Sequence, residues 1–190
     1  MSRLVLITGG CRSGKSDFAV ALAHSLSLPT LFLATCDPGQ DTEMHARVAA
    51  HRRARPVDWR LREESLAPAL ALAEATEPVI VLDCIPTWLG NLLVRGTTDE
   101  NIGLAGAELE AAIRCCRARW ILAVTAEVGA GLVPETALGR RFRDCVGSAN
   151  QRLAAFASRT VLLVAGLPID VSCLAQSAAG FAGLLREDTI

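Results

Sequence analysis

Gly9-Gly10-Cys11-Arg12-Ser13-Gly14-Lys15-Ser16 is the stretch on which the fold turns. It follows Arg3 to Thr8 (RLVLIT), a short apolar run rich in β-branched residues that reads as a buried strand. It precedes a run from Lys15 to about Leu26 in which Phe18, Ala19, Leu22 and Leu26 recur at helical spacing. A Gly-x4-Gly-Lys-Ser segment between a strand and a helix is a P-loop. Its glycines let backbone N–H groups wrap phosphates, and the positive end of the following helix adds to the attraction. Lys15 is placed to reach the β- and γ-phosphates, and the Ser16 hydroxyl to ligate Mg²⁺. Of 19 Lys and Arg residues Lys15 is the only lysine, so a chain that otherwise uses arginine keeps one flexible ammonium for the phosphate loop.

Outward from the loop, short apolar strands alternate with amphipathic helices. Strands are expected at Thr30 to Ala34, at Val79 to Leu82 ending in Asp83, at Trp120 to Val124 and at Thr160 to Val164. Helices are expected from Asp41 to about Arg53, from Leu66 to Ala75, and from Asp99, read as a cap, to about Arg117. A long helix opened by Pro134 is expected to carry Leu138, Phe142, Val146, Leu153 and Phe156 on one face. The pattern predicts one α/β domain over 1–190, a P-loop fold whose mostly parallel sheet has helices on both faces. After Gly166 the periodicity weakens, which suits a peripheral helix.

About half of the 190 residues are hydrophobic and a fifth charged, ordinary for an enzyme-sized domain, and the net charge of −1 gives no electrostatic case for nucleic acid. No apolar run reaches the roughly 20 residues of a membrane helix. The N-terminus enters a strand without a signal-like segment, so a cytoplasmic location is expected, with no membrane anchor. Seven cysteines, odd in number and without a Cys-x-x-Cys pair, indicate neither zinc nor a disulfide framework.

Asp83 ends an apolar strand, the position of the acid that orients Mg²⁺ in P-loop proteins, although a strand-terminal Asp also suits a turn or cap. His51 sits beside Arg52 and Arg53. Imidazole is nucleophilic at neutral pH, and the arginines can bind a triphosphate and stabilise charge on the phosphorus under attack, yet an exposed histidine on a basic helix is commonly only a solvated face. His45 is close enough to be a rival; His24 lacks the argument. With no lysine beyond Lys15, the Asn-Lys-x-Asp guanine reader of Ras-like GTPases is excluded.

From about Leu4 to Pro168 the chain resembles the bifunctional adenosylcobinamide kinase/adenosylcobinamide-phosphate guanylyltransferase family of cobalamin biosynthesis. The likeness rests on ITGGCRSGKS, on Leu33 to Thr35, on Glu43-Met44 with the helix leading to His51, and on Arg55-Pro56, Trp59 and Glu63. It continues through Asp83-Cys84, Thr87-Trp88, Asn91, Glu127 to Pro134, Arg141 to Asp144, Gly147 and Asn150-Gln151. Cys36, Leu61, Pro86 and Ala126 depart from the usual family residues. The resemblance implies a RecA-like sheet assembled as a homotrimer, phosphorylation of adenosylcobinamide by ATP or GTP, and transfer of GMP from GTP through a guanylylated histidine, which falls on His51. It implies nucleotide contacts at Gly9 to Ser16, Ala34, Thr35, Cys36 and Glu63, and leaves residues 169–190 outside. A monofunctional P-loop kinase for another small hydroxyl substrate would not retain label from α-phosphate-labelled GTP. A non-enzymatic nucleotide-binding module would transfer nothing at all.

Overall fold

A computed structural model describes residues 3–37, 39 and 56–175. Among these residues seven strands form one sheet: β1 (Arg3–Gly9), β2 (Thr30–Ala34), β3 (Arg60–Glu63), β4 (Val79–Asp83), β5 (Trp120–Val124), β6 (Arg159–Val164) and β7 (Leu167–Asp170). Their order is β3-β2-β4-β5-β1-β6-β7, and every pair is parallel except β6 with β7. Among the described residues the helices are α1 (Lys15–Ser25), α2 (Pro68–Glu74), α3 (Ile85–Val94), α4 (Asp99–Cys115) and α5 (Ala137–Ala154).

The central strands are apolar without alternation because both of their faces are covered. Val5, Ile7, Phe32, Val79 and Val81 pack towards Ala19 and Ala23 of α1. Leu4, Leu6, Leu31, Leu33, Ile80 and Leu82 turn the other way, against Leu72 of α2, Trp88 and Leu89 of α3, Leu109 of α4 and Val146 of α5. Period two thus decides which core each residue enters, and β1 and β4 serve both.

The expected strands and the helices beginning at Lys15, Leu66 and Asp99 appear with shifts of a few residues. Several details differ. Thr98, not Asp99, caps α4: its hydroxyl accepts from the Asn101 N–H at 3.3 Å, leaving Asp99 and Glu100 in the first turn, where the dipole favours acids. Thr136 caps α5 in the same way, accepting from Gly139, so Pro134 lies before the helix. Leu138 on α5 is exposed, whereas Val146 and Leu153 are buried.

The chain after Gly166 continues as β7, an antiparallel strand, where a peripheral helix was expected. Ala165 and Gly166, with φ of 51° and 84°, form a two-residue turn whose left-handed pair matches strand twist. The expected helix at Asp41 to Arg53 and residues 176–190 lie outside the described residues.

Candidate functional site

The P-loop joins β1 to α1, with Arg12 at φ 54° and Gly14 at φ 89° turning the chain. Gly14 caps α1 and its carbonyl accepts from the Phe18 N–H at 2.9 Å. Gly9 is forced by its surroundings: a β-carbon there would lie 2.5 Å from the Leu163 carbonyl oxygen and 2.8 Å from Ser13 Oγ. From behind, the Gly166 N–H of the β6–β7 turn donates to the Ser13 carbonyl at 3.1 Å. The Lys15 ammonium donates to the Gly10 carbonyl and, at 3.4 Å, to Ser13 Oγ, so it lies across the loop it serves. Burial holds its pKa below the ordinary lysine value, against the opposing pull of Cys84, Cys11 and Asp83.

Ser16 Oγ donates to Asp83 Oδ1 at 3.1 Å. The pair brings a hydroxyl and a carboxylate oxygen, both hard donors, to the foot of the phosphate loop. That donor set fits Mg²⁺, which is normally held by one or two protein oxygens with water and phosphate completing the shell.

Asp83, Ala34 and Glu63 are direct register partners at the ends of β4, β2 and β3. Their side chains therefore share the sheet face that α1 covers. Thr35 is fully buried; its hydroxyl donates to the Cys84 carbonyl at 2.7 Å and accepts from the Cys84 N–H at 2.8 Å, while Asn91 Nδ2 donates to its carbonyl at 2.8 Å. Thr35 is thus a tie between strand ends. Burial first, then Asp37, Asp83 and Glu63, raises the Cys36 thiol pKa. Cys84 is pushed up to about 11, chiefly by burial and then by Asp83, and stays a thiol at neutral pH.

Glu63 and Gly9 end strands four places apart, roughly 19 Å at 4.8 Å per strand. The sequence-predicted residues therefore divide between a loop at β1, with Asp83 two strands away, and a second cluster at β2 and β3. His51, Arg52 and Arg53 belong to the connection between β2 and β3, and they lie outside the described residues, as does His45.

A third set of residues carries no role in the sequence reading beyond the family likeness. Thr8, Thr125 and Asn150 are buried around Glu127. Thr8 Oγ1 donates to Glu127 Oε1 at 2.8 Å, and Asn150 Nδ2 donates to the same oxygen at 3.3 Å and to the Ala126 carbonyl at 3.0 Å. Thr125 Oγ1 donates to Asn150 Oδ1 at 2.6 Å, and the Glu127 N–H donates to the Gly9 carbonyl at 3.1 Å. The available signals were the Glu127 to Pro134 and Asn150-Gln151 pieces of the family likeness, and Asn150 as a polar residue in the Val146–Leu153 buried stripe of α5.

Two of the departures find places. Pro86 is buried in the first turn of α3, where its missing N–H costs nothing, and Leu61 is exposed on the edge strand β3. A cavity of about 330 Å³ opens between α3, α4 and α5 on the sheet face away from α1. Trp88, Ile102 and Leu109 form part of its lining, and the Arg141–Asp99 pair stands at 2.6 Å in its wall. No P-loop residue lines it. Among the described residues no helix is long and apolar enough to cross a membrane.

A phosphate loop at the end of a central parallel strand, backed by an Asp on another strand of the same sheet, defines a P-loop nucleotide-binding α/β protein. Residues 5–171 match the family described as cobinamide kinase / cobinamide phosphate guanyltransferase, and the chain belongs to that family. It is 40% identical over 182 residues to the bifunctional adenosylcobalamin biosynthesis protein CobU of Salmonella typhimurium, covering 88% of this chain and 99% of that one. It is 40% identical over 168 residues to the bifunctional adenosylcobalamin biosynthesis protein CobP of Pseudomonas aeruginosa, covering 86% of this chain and 94% of that one. The corresponding CobU of Escherichia coli is 37% identical over 182 residues, covering 88% and 99%.

Proposed function

We propose that the protein phosphorylates the hydroxyl of the aminopropanol arm of adenosylcobinamide from ATP or GTP, and then transfers GMP from GTP to the product. The observation that carries this reading is the Ser16–Asp83 pair at the foot of an intact P-loop, in a chain that aligns with nearly the full length of its bifunctional relatives.

In the first reaction, backbone N–H groups of residues 9–14 and the start of α1 hold the triphosphate, and Lys15 follows the charge that builds on the β/γ bridge. Ser16 and Asp83 would hold Mg²⁺, which would supply positive charge to neutralise the triphosphate. In the second reaction, a His51 ring nitrogen attacks the α-phosphorus of GTP, pyrophosphate leaves, and a phosphoramidate forms. A phosphate oxygen of adenosylcobinamide phosphate then attacks the same phosphorus, and the P–N bond breaks. Arg52 and Arg53 stabilise the triphosphate, and Ala34, Thr35, Cys36 and Glu63 contribute to nucleotide contacts on the β2–β3 side. We read the protein as a cytoplasmic homotrimer, for which light scattering should return three times the chain mass.

The test is to incubate the protein with adenosylcobinamide, Mg²⁺ and GTP or ATP and to identify the corrinoid product by mass. In parallel, α-phosphate-labelled GTP is offered to wild type, His51→Ala and His45→Ala. Wild type and His45→Ala should retain acid-labile label, and His51→Ala should not. Label lost only from His45→Ala moves the nucleophile to His45; no label on any of the three leaves a kinase alone. An unmodified corrinoid refutes both reactions.

A further inference from the structure

We propose that Glu127 is the base of the kinase reaction, accepting the proton of the attacking hydroxyl, and that Thr8 and Asn150 are positioning residues that aim it. The proposal rests on the kinase reading given above and assigns a role that the phosphate loop itself leaves open. Lys15, Ser16 and Asp83 hold charge and metal, but none of them is a free acceptor for the hydroxyl proton.

The geometry starts with the sheet order. β5 lies between β1, which ends in Gly9, and β4, which ends in Asp83. Glu127 follows β5 by three residues, so it emerges at the strand end flanked by the phosphate loop and the metal-side carboxylate. Its own backbone is tied to the loop by the bond from its N–H to the Gly9 carbonyl. Its side chain is tied to Thr8, the residue immediately before the loop.

The form of the holding network carries the argument further. Glu127 is exposed, whereas its holders Thr8, Thr125 and Asn150 are 5%, 0% and 9% exposed. A solvent-facing glutamate needs no organisation for stability, because water satisfies it at no cost. Here three buried polar side chains form a chain from Thr125 through Asn150 to Glu127, with Thr8 closing it from β1. Both side-chain bonds fall on Oε1. Oε2 takes no bond from a described residue and is left to accept. Fixing one oxygen and presenting the other is what a positioned base requires.

The step balances without another reactant. The substrate O–H bond breaks and its proton passes to Glu127 Oε2. The alcohol oxygen bonds the γ-phosphorus as the bond from that phosphorus to the β,γ-bridging oxygen breaks. Nucleoside diphosphate leaves, and the carboxylic acid returns its proton to solvent.

The decisive variant is Glu127→Gln, because its amide oxygen accepts the same bonds from Thr8 and Asn150 while the proton acceptor is lost. Steady-state kinetics of adenosylcobinamide phosphorylation should show kcat reduced by about 10²-fold or more, with nucleotide KM within threefold of wild type. The Mg²⁺ requirement should be unchanged. GMP transfer to pre-formed adenosylcobinamide phosphate should continue, since it breaks no substrate O–H bond. For Glu127→Ala, added formate should restore part of the kinase rate. Thr8→Val should lower kcat about tenfold at unchanged nucleotide KM, and Thr8→Ser should recover it.

Kinase turnover within threefold of wild type in Glu127→Gln overturns the proposal. A Mg²⁺ requirement moved to higher concentration would instead make Glu127 a metal ligand, and equal loss of both reactions together with a lowered Tm would make it structural. Wild type is assayed alongside: if it forms no phosphorylated corrinoid, the underlying function fails, which is distinct from an active wild type matched by an active Glu127→Gln.

Discussion

Gly9→Ala tests the contact between the phosphate loop and the sheet behind it. The new methyl group would stand 2.5 Å from the Leu163 carbonyl oxygen and 2.8 Å from Ser13 Oγ. An ordinary carbon–oxygen contact is nearer 3.3 Å, so the carbonyl must retreat by roughly 0.8 Å or the loop must lift. Leu163 is the register partner of Gly9, and its neighbours hold β6 to β1, so neither movement is free. Overpacking of this kind costs about 1–3 kcal/mol. The φ of 147° adds backbone strain for any residue with a β-carbon, of order 1–3 kcal/mol. Restricting the unfolded chain returns about 0.5 kcal/mol. The net loss is about 1.5–5.5 kcal/mol, which at ~3 °C per kcal/mol lowers Tm by about 5–16 °C in a chain of this size. Gly10→Ala is the control: no atom lies within 4 Å of its β-carbon position, and its Tm should stay within about 2 °C of wild type. Thermal unfolding of both variants is followed by circular dichroism without nucleotide. Equal melting of Gly9→Ala and Gly10→Ala would refute the packing of β6 against the loop.

Three further outcomes are expected. Lys15→Ala removes a charge-assisted phosphate contact of order 2–4 kcal/mol, so steady-state phosphorylation should fall by roughly 10²-fold or more; near-normal turnover would remove the loop from the chemistry. Asp83→Asn keeps volume but loses a negative oxygen beside Ser16, and a titration of kinase rate against Mg²⁺ should move to much higher concentration. Glu64 accepts from the N–H groups of Ala67 and Leu66, which hold its carboxyl below the ordinary value of 4.5. A depressed carboxylate stabilises the fold above that value, and the contribution is lost as pH falls through the lower, folded-state one. The Tm difference between wild type and Glu64→Gln should therefore be present at neutral pH, correspond to under about 1 kcal/mol, and close below pH 4.5.

The central sheet was legible because burial on both faces imposes continuous apolar runs, and β1, β2, β4 and β5 have little else to satisfy. β3 was not, because an edge strand reading Arg-Leu-Arg-Glu draws its structure from pairing with β2 rather than from its own pattern. α3 escaped for another reason: Ile85, Trp88, Leu89 and Leu93 are buried at helical spacing, but the run is short, opens on Pro86, contains Gly90 and carries an exposed apolar Val94, which together blur the stripe. β7 follows a turn whose first residue is Ala165, not the Asn or Asp that usually signals a left-handed pair. In the site, the placement of Lys15, Ser16 and Asp83 together could be read because a loop and a strand end are local features. The Thr8–Glu127 contact joins positions 119 residues apart and the Asn150–Glu127 contact positions 23 apart, and no local spacing encodes either.

The Gly166 N–H that meets the Ser13 carbonyl gives the order of synthesis a meaning. The phosphate loop leaves the ribosome well before the turn that supports its back, which is made only when residue 166 is reached. The two hydrogen-bonded neighbours of β1 are late as well, β5 being complete only at residue 124 and β6 at residue 164. A nascent chain thus carries the whole loop sequence without the shape that grips a triphosphate. Nucleotide capture becomes a late event of translation, and a nucleotide-protected nascent chain would be one in which the β6–β7 turn has already closed.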